Sequence, residues 1–167
     1  MKKLILTFAV IFTALQINAG NKDQYLGING GFLYKNSVTF SLNYEIETNY
    51  RNAFEINVMG GNNFAKDPDC GKICREFFFK DYWIEGGLAW KPVIKHYKNS
   101  NLRLKAGASA GTYIKEFNAA AVLGLEYNIY TRTGVVFTIT QENHYNFLRK
   151  KSDMFKAGLL LGIKIPL

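Results

Sequence analysis

Cysteine, histidine and proline are scarce in this 167-residue chain, which has two, two and three of them respectively. The cysteines stand together as Cys70-Gly71-Lys72-Ile73-Cys74, with no histidine nearby. A structural metal site needs about four ligands, so none is expected here, and neither is a cofactor. No cysteine lies near the N-terminal apolar stretch, which argues against a lipid-modified N-terminus. Beyond residue 20 no apolar run approaches the ~20 residues of a spanning helix. Basic residues outnumber acidic ones, 21 to 13, yet the only dense run is Arg149-Lys150-Lys151. No nucleic-acid-binding module accompanies it, so no direct nucleic-acid partner is expected. The glycine pairs Gly30-Gly31, Gly60-Gly61 and Gly86-Gly87 lack the strand-to-helix setting of a phosphate loop.

The N-terminus has the order of a secretory signal. Lys2 and Lys3 precede an apolar stretch from Leu4 to Leu15, and small residues follow at Ala19 and Gly20. This predicts cleavage near Ala19, giving a signal peptide at 1–19 and one domain at 20–167. Loss of the two lysines lowers the formal charge from +8 to +6. The oxidising compartment makes a Cys70–Cys74 disulfide the expected state of the cysteines.

Aromatics are plentiful, with ten tyrosines and thirteen phenylalanines. Odd and even positions separate over long stretches, as the two faces of a strand do. In the last segment Ala157, Leu159, Leu161, Ile163, Ile165 and Leu167 share one face, and Lys156, Gly158, Gly162 and Lys164 fall on the other. Seven earlier segments repeat the pattern, starting near Leu26, Val38, Arg51, Tyr82, Leu102, Phe117 and Val135. Eight strands of ~10 residues match tilted membrane strands. Connections near Thr48-Asn49, at 96–101 and at Thr131 to Gly134 are short, whereas 61–81 and 144–153 are longer. The predicted fold is all-β: an eight-stranded antiparallel up-and-down transmembrane β-barrel with both ends on the periplasmic side.

Parity alone does not say which face is inside. Small residues crowd the polar face (Gly87, Ala89, Gly107, Ser109, Gly111, Gly124), as a narrow lumen requires. Aromatics of the apolar face fall at two heights, Tyr44, Tyr50, Trp90 and Tyr127 at one end and Tyr82, Phe117 and Tyr145 at the other. Aliphatic residues such as Leu42, Ile56, Leu104 and Leu123 lie between. This predicts a hydrocarbon band between two aromatic girdles, with outer-membrane lipid as the surrounding partner. The charges Glu45, Glu47, Arg51, Glu55, Glu85, Lys91, Arg103, Lys105, Glu126 and Lys164 then project into the lumen, where they should pair and plug it. A conducting path through Lys91, Arg103 and Lys105 is the alternative.

His96 falls in a turn and His144 at the outer end of the seventh strand, both read as surface positions. A lipid-modifying barrel using His144 with Ser109 or Ser152 is a minor alternative, because such catalysis is defined by geometry. The expectation is therefore a non-enzyme.

The stretch Lys80-Asp81-Tyr82-Trp83-Ile84-Glu85-Gly86-Gly87-Leu88-Ala89-Trp90-Lys91-Pro92-Val93 resembles the central motif of the TraO family. The small-residue strand from Leu102 to Tyr113 resembles that family's next strand, and the order of segments follows it over nearly the whole chain. The resemblance implies an outer-membrane barrel within the conjugative transposon machinery of Bacteroidetes, with other conjugation proteins as partners and no catalytic residues. The alternative is a general small barrel, porin-like or OmpA-like, with a structural or adhesive role in the envelope.

Overall fold

The computed structural model describes residues 23–33, 37–63, 82–113, 116–148 and 155–167. The expected signal peptide and the Cys70–Cys74 pair lie outside these residues. The described residues form nine strands: β1 (Gln24–Leu33), β2 (Ser37–Glu47), β3 (Ala53–Asn63), β4 (Tyr82–Lys91), β5 (Val93–His96), β6 (Ser100–Tyr113), β7 (Glu116–Tyr130), β8 (Val136–Asn146) and β9 (Phe155–Pro166). Each pairs antiparallel with its neighbours. β1 pairs with β9 and β4 pairs with β6, so the sheet closes on itself. Closure leaves eight staves, because β4 and β5 are one stave broken at Pro92. Proline has no N–H for the ladder. β4 pairs with β3 up to Lys91 and with β6 up to Trp90, and β5 resumes against β6 alone, with an irregular register between Val93 and Lys95.

Alternation decides the radial arrangement. Glu45, Lys91 and Arg103 are fully buried, while Ile28, Phe40, Leu88 and Leu161 are 62, 66, 64 and 59 % exposed. This is a protein turned inside out, with charge in the core and hydrocarbon on the surface. Water as surrounding solvent would penalise both faces; lipid penalises neither.

At Gly27, Gly87 and Gly162 an added Cβ would meet lumen side chains, as lumen volume suggests, but other glycines of the inner face have a different reason. A Cβ on Gly111 would run into the carbonyl oxygen of Ile84 on β4, and one on Gly158 into that of Phe32 on β1. These positions sit where adjacent staves wrap tightly around a narrow cylinder, so the limit is the neighbouring backbone.

The turns at the end shared by both chain ends are short. Thr48 N donates to Asn52 O (2.7 Å), Tyr97 N to Ser100 O (2.8 Å) and Thr131 N to Val135 O (3.0 Å). The first turn runs through a 3-10 segment, Asn49–Arg51, in which Tyr50 and Arg51 take φ of 70° and 58°. It carries Arg51 out of the alternating pattern. Arg51 is exposed and stacks over the Tyr130 ring at 4.1 Å, a correction to its expected place in the lumen.

A charged lumen as the candidate functional site

Each inward charge comes from a strand whose alternation turns it toward the axis, so seven staves bring their charges together. Lys91 is the hub. Its Nζ lies 2.8 Å from Glu45 Oε2 and 2.5 Å from Glu126 Oε2, and it also pairs with Glu55. Lys164 bridges Glu45 (2.7 Å) and Glu126 (2.8 Å) from β9. Arg103 binds Glu45 Oε1 through Nη1 (2.6 Å); its Nη2 pairs with Glu47 and donates to Tyr130 Oη (2.9 Å). Lys105 joins Glu55 (2.8 Å) to Glu142. Asn43 Nδ2 donates to Glu55 Oε2 (3.2 Å) beside Lys91, and Asn57 Nδ2 to Glu55 Oε1 (2.8 Å) beside Lys105. The carboxylates of Glu45, Glu55 and Glu126 cluster as metal ligands could, but they converge on the Lys91 ammonium, which supplies the positive charge.

A second tier lies toward the other end. Glu85 accepts from Ser109 Oγ (2.8 Å) and Asn118 Nδ2 (2.6 Å). His144 is buried between two carboxylates, with Nε2 3.1 Å from Glu142 and Nδ1 3.8 Å from Glu85. This corrects its expected surface position: β8 runs on to Asn146, so the even positions Glu142, His144 and Asn146 keep pointing inward. The imidazole is walled off from lipid, which removes the geometry a lipid-modifying histidine would need. Above this tier Lys156 lies over the rings of Trp83 (4.9 Å) and Tyr113 (5.1 Å), and Leu33 and Met59 pack against Trp83. Such cation–π contacts strengthen when desolvated.

The void between Glu85, Lys105, Ser109 and His144 measures about 10 Å³. That is room for no more than about one water. Around this void the described lumen residues are joined by the ion pairs and hydrogen bonds above.

Of the expected lumen residues, all but Arg51 are buried within this network. Glu142 and His144 escape the sequence reading, although their parity matches Thr138 and Thr140 on β8; Lys156 lies on the face that parity assigned it, beside Gly158 and Lys164. On the outer face Tyr50, Tyr82, Trp90, Phe117 and Tyr145 are exposed. Tyr127 is half-buried and donates to Ser100 Oγ (2.9 Å). Tyr44 departs from the expectation of an exposed ring. It is covered by its neighbours and donates to Gln24 Oε1 at 2.6 Å. Gln141 and Asn143 also face outward, at the centre of β8, where the band was expected to be aliphatic.

The comparisons bear on the whole of this geometry. The structure of the Yersinia pestis outer membrane protein Ail in a phospholipid bilayer nanodisc superposes with a TM-score of 0.57, covering 88 % of this chain and all of that one at 15 % identity. The crystal structure of Ail, the attachment invasion locus protein of Yersinia pestis, gives 0.54, with 87 % and 97 % covered at 14 % identity. The fold is that of a small outer-membrane β-barrel. At such identity the likeness extends to the fold alone. No family model matches the chain, and no curated protein is similar to it in sequence, so the likeness to TraO stands on the quoted residues only.

Proposed function

We propose that this chain is an integral outer-membrane barrel with a structural or adhesive role in the envelope, its lumen a packed strut and not a channel or a catalytic chamber. The observation that carries this reading is the sealed ion-pair core. Lys91, Arg103, Lys105 and Lys164 are each held by at least two carboxylates, and the adjoining void admits about one water. An ion crossing that core would have to displace contacts whose rupture leaves buried charge unpaired. The exposed rings of Trp90, Tyr82, Phe117 and Tyr145 fit two interfacial girdles around the band.

Planar-bilayer recording tests the reading. The purified barrel should give no unitary conductance, and stepwise openings would overturn it. A deletion strain then separates the two roles: raised detergent sensitivity marks a structural part, and loss of attachment with intact resistance marks an adhesive one. The conjugation reading rests on the TraO resemblance alone, and transfer frequency in the same strain tests it, since unchanged transfer removes it.

A further inference from the structure

The outer face of β8 contains a pair of side chains that lipid does not explain. Gln141 is the central residue of β8, with five residues on either side of it. Its side chain and that of Asn143 face outward, half-buried, among Leu123 and Leu125 of β7 and Ala157 and Leu159 of β9. The two amides bond to each other reciprocally. Gln141 Nε2 donates to Asn143 Oδ1 at 2.8 Å, and Asn143 Nδ2 donates to Gln141 Oε1 at 3.2 Å. An amide has two N–H donors and a carbonyl oxygen with two lone pairs. The reciprocal pair therefore uses one donor and one acceptor of each and leaves one donor and one acceptor of each turned toward hydrocarbon. Leaving such groups unmet in an apolar medium is costly, and polar side chains inside membranes ordinarily mark contacts with another polar group.

We infer that this face of β8 is where a second copy of the chain docks within the membrane. The inference rests on the membrane reading proposed above. A bilayer holds every copy in the same orientation, so two copies meet about a twofold axis along the membrane normal. Such an axis brings like residues together at the same height. Gln141 then meets Gln141 of the second copy, and Asn143 meets Asn143. An amide is its own complement, and the leftover donor and acceptor of one copy match those of the other. Ala157 and Ala121, beside Asn143 and Tyr145 on the neighbouring staves, let the two walls approach closely.

The test uses the full mature chain, labelled in two colours and reconstituted in phosphatidylcholine vesicles over a range of protein-to-lipid ratios. The wild type should show saturable energy transfer that diluting with lipid reverses. The Gln141→Leu/Asn143→Leu double variant should need roughly tenfold more protein per lipid for the same transfer. In a background with Cys70 and Cys74 changed to Ser, Gln141→Cys should cross-link between copies. Ile56→Cys, on the opposite stave β3, should not. Absence of transfer in the wild type, equal association of the double variant, or cross-linking at Ile56 in place of Gln141 each overturns the inference. Heat-modifiable gel mobility reports insertion separately. Leucine suits lipid better than either amide, so failure of the double variant to insert would sink the membrane reading itself.

Discussion

Lys91 has no solvent to fall back on. Its ammonium is fully buried and held by Glu45, Glu55 and Glu126 from three directions. The three carboxylates draw on the same ammonium, so removing it leaves negative charge uncompensated at the centre of the lumen. Lys91→Met keeps the length of the stem and deletes the charge, and should cost at least about 3 kcal/mol of folding stability. Urea unfolding in lipid vesicles measures it. Arg51 is the contrast. It is exposed and stacks over the Tyr130 ring, so Arg51→Ala should cost about 1 kcal/mol or less in the same assay. Equal effects would mean that the lumen is hydrated enough to screen its charges. Parity misplaces Arg51 because it presumes an extended chain. Two consecutive residues with positive φ break that presumption.

Among the strands, glycine plays two parts that composition does not separate. Gly111 on β6 faces the lumen, and a Cβ there would meet the Ile84 carbonyl of β4. Gly86 on β4 faces outward, and a Cβ would find only Asn57 O, at 3.9 Å. Gly111→Ala should destabilise the barrel by about 1–3 kcal/mol, since the backbone of β4 must shift to make room. Gly86→Ala should be neutral or stabilising by up to about 1 kcal/mol, because alanine has less freedom to lose on folding. The temperature at which the folded gel band converts to the unfolded one ranks the two. The break at Pro92 was in plain view in the sequence. Its consequence was not, because whether a stave continues past a proline depends on which neighbours remain beside it. Here β6 remains, and Asn52 Oδ1 accepts from Val93 N (2.8 Å) where β3 has ended.

For the molecule as a whole, everything follows from which solvent touches the outer face. Leu123 is 55 % exposed at the centre of the 15-residue strand β7. An arginine there should cost about 2–4 kcal/mol at the bilayer midplane and block assembly into vesicles. Lys95→Ala, on the exposed β5 edge, should assemble as the wild type does. Normal assembly of Leu123→Arg would mean that this face does not meet lipid. The charged lumen and the apolar outer wall go together, since a cylinder of eight staves leaves an interior narrow enough for side chains to fill.

Alternation by itself determined the eight staves and which residues share a face, because a period of two is written locally. It placed Glu45, Glu55, Lys91, Arg103 and Lys105 together on the inner face without saying which would touch. Register decided that. Lys91 and Glu126 are 35 positions apart and meet only because β4 and β7 both close against β6 at one particular offset. The same dependence hid His144, whose burial required β8 to continue beyond the apolar residues that announce it. It hid the outward amides of Gln141 and Asn143 as well. Sequence fixes the face a side chain shares; closure of the sheet fixes what stands opposite it.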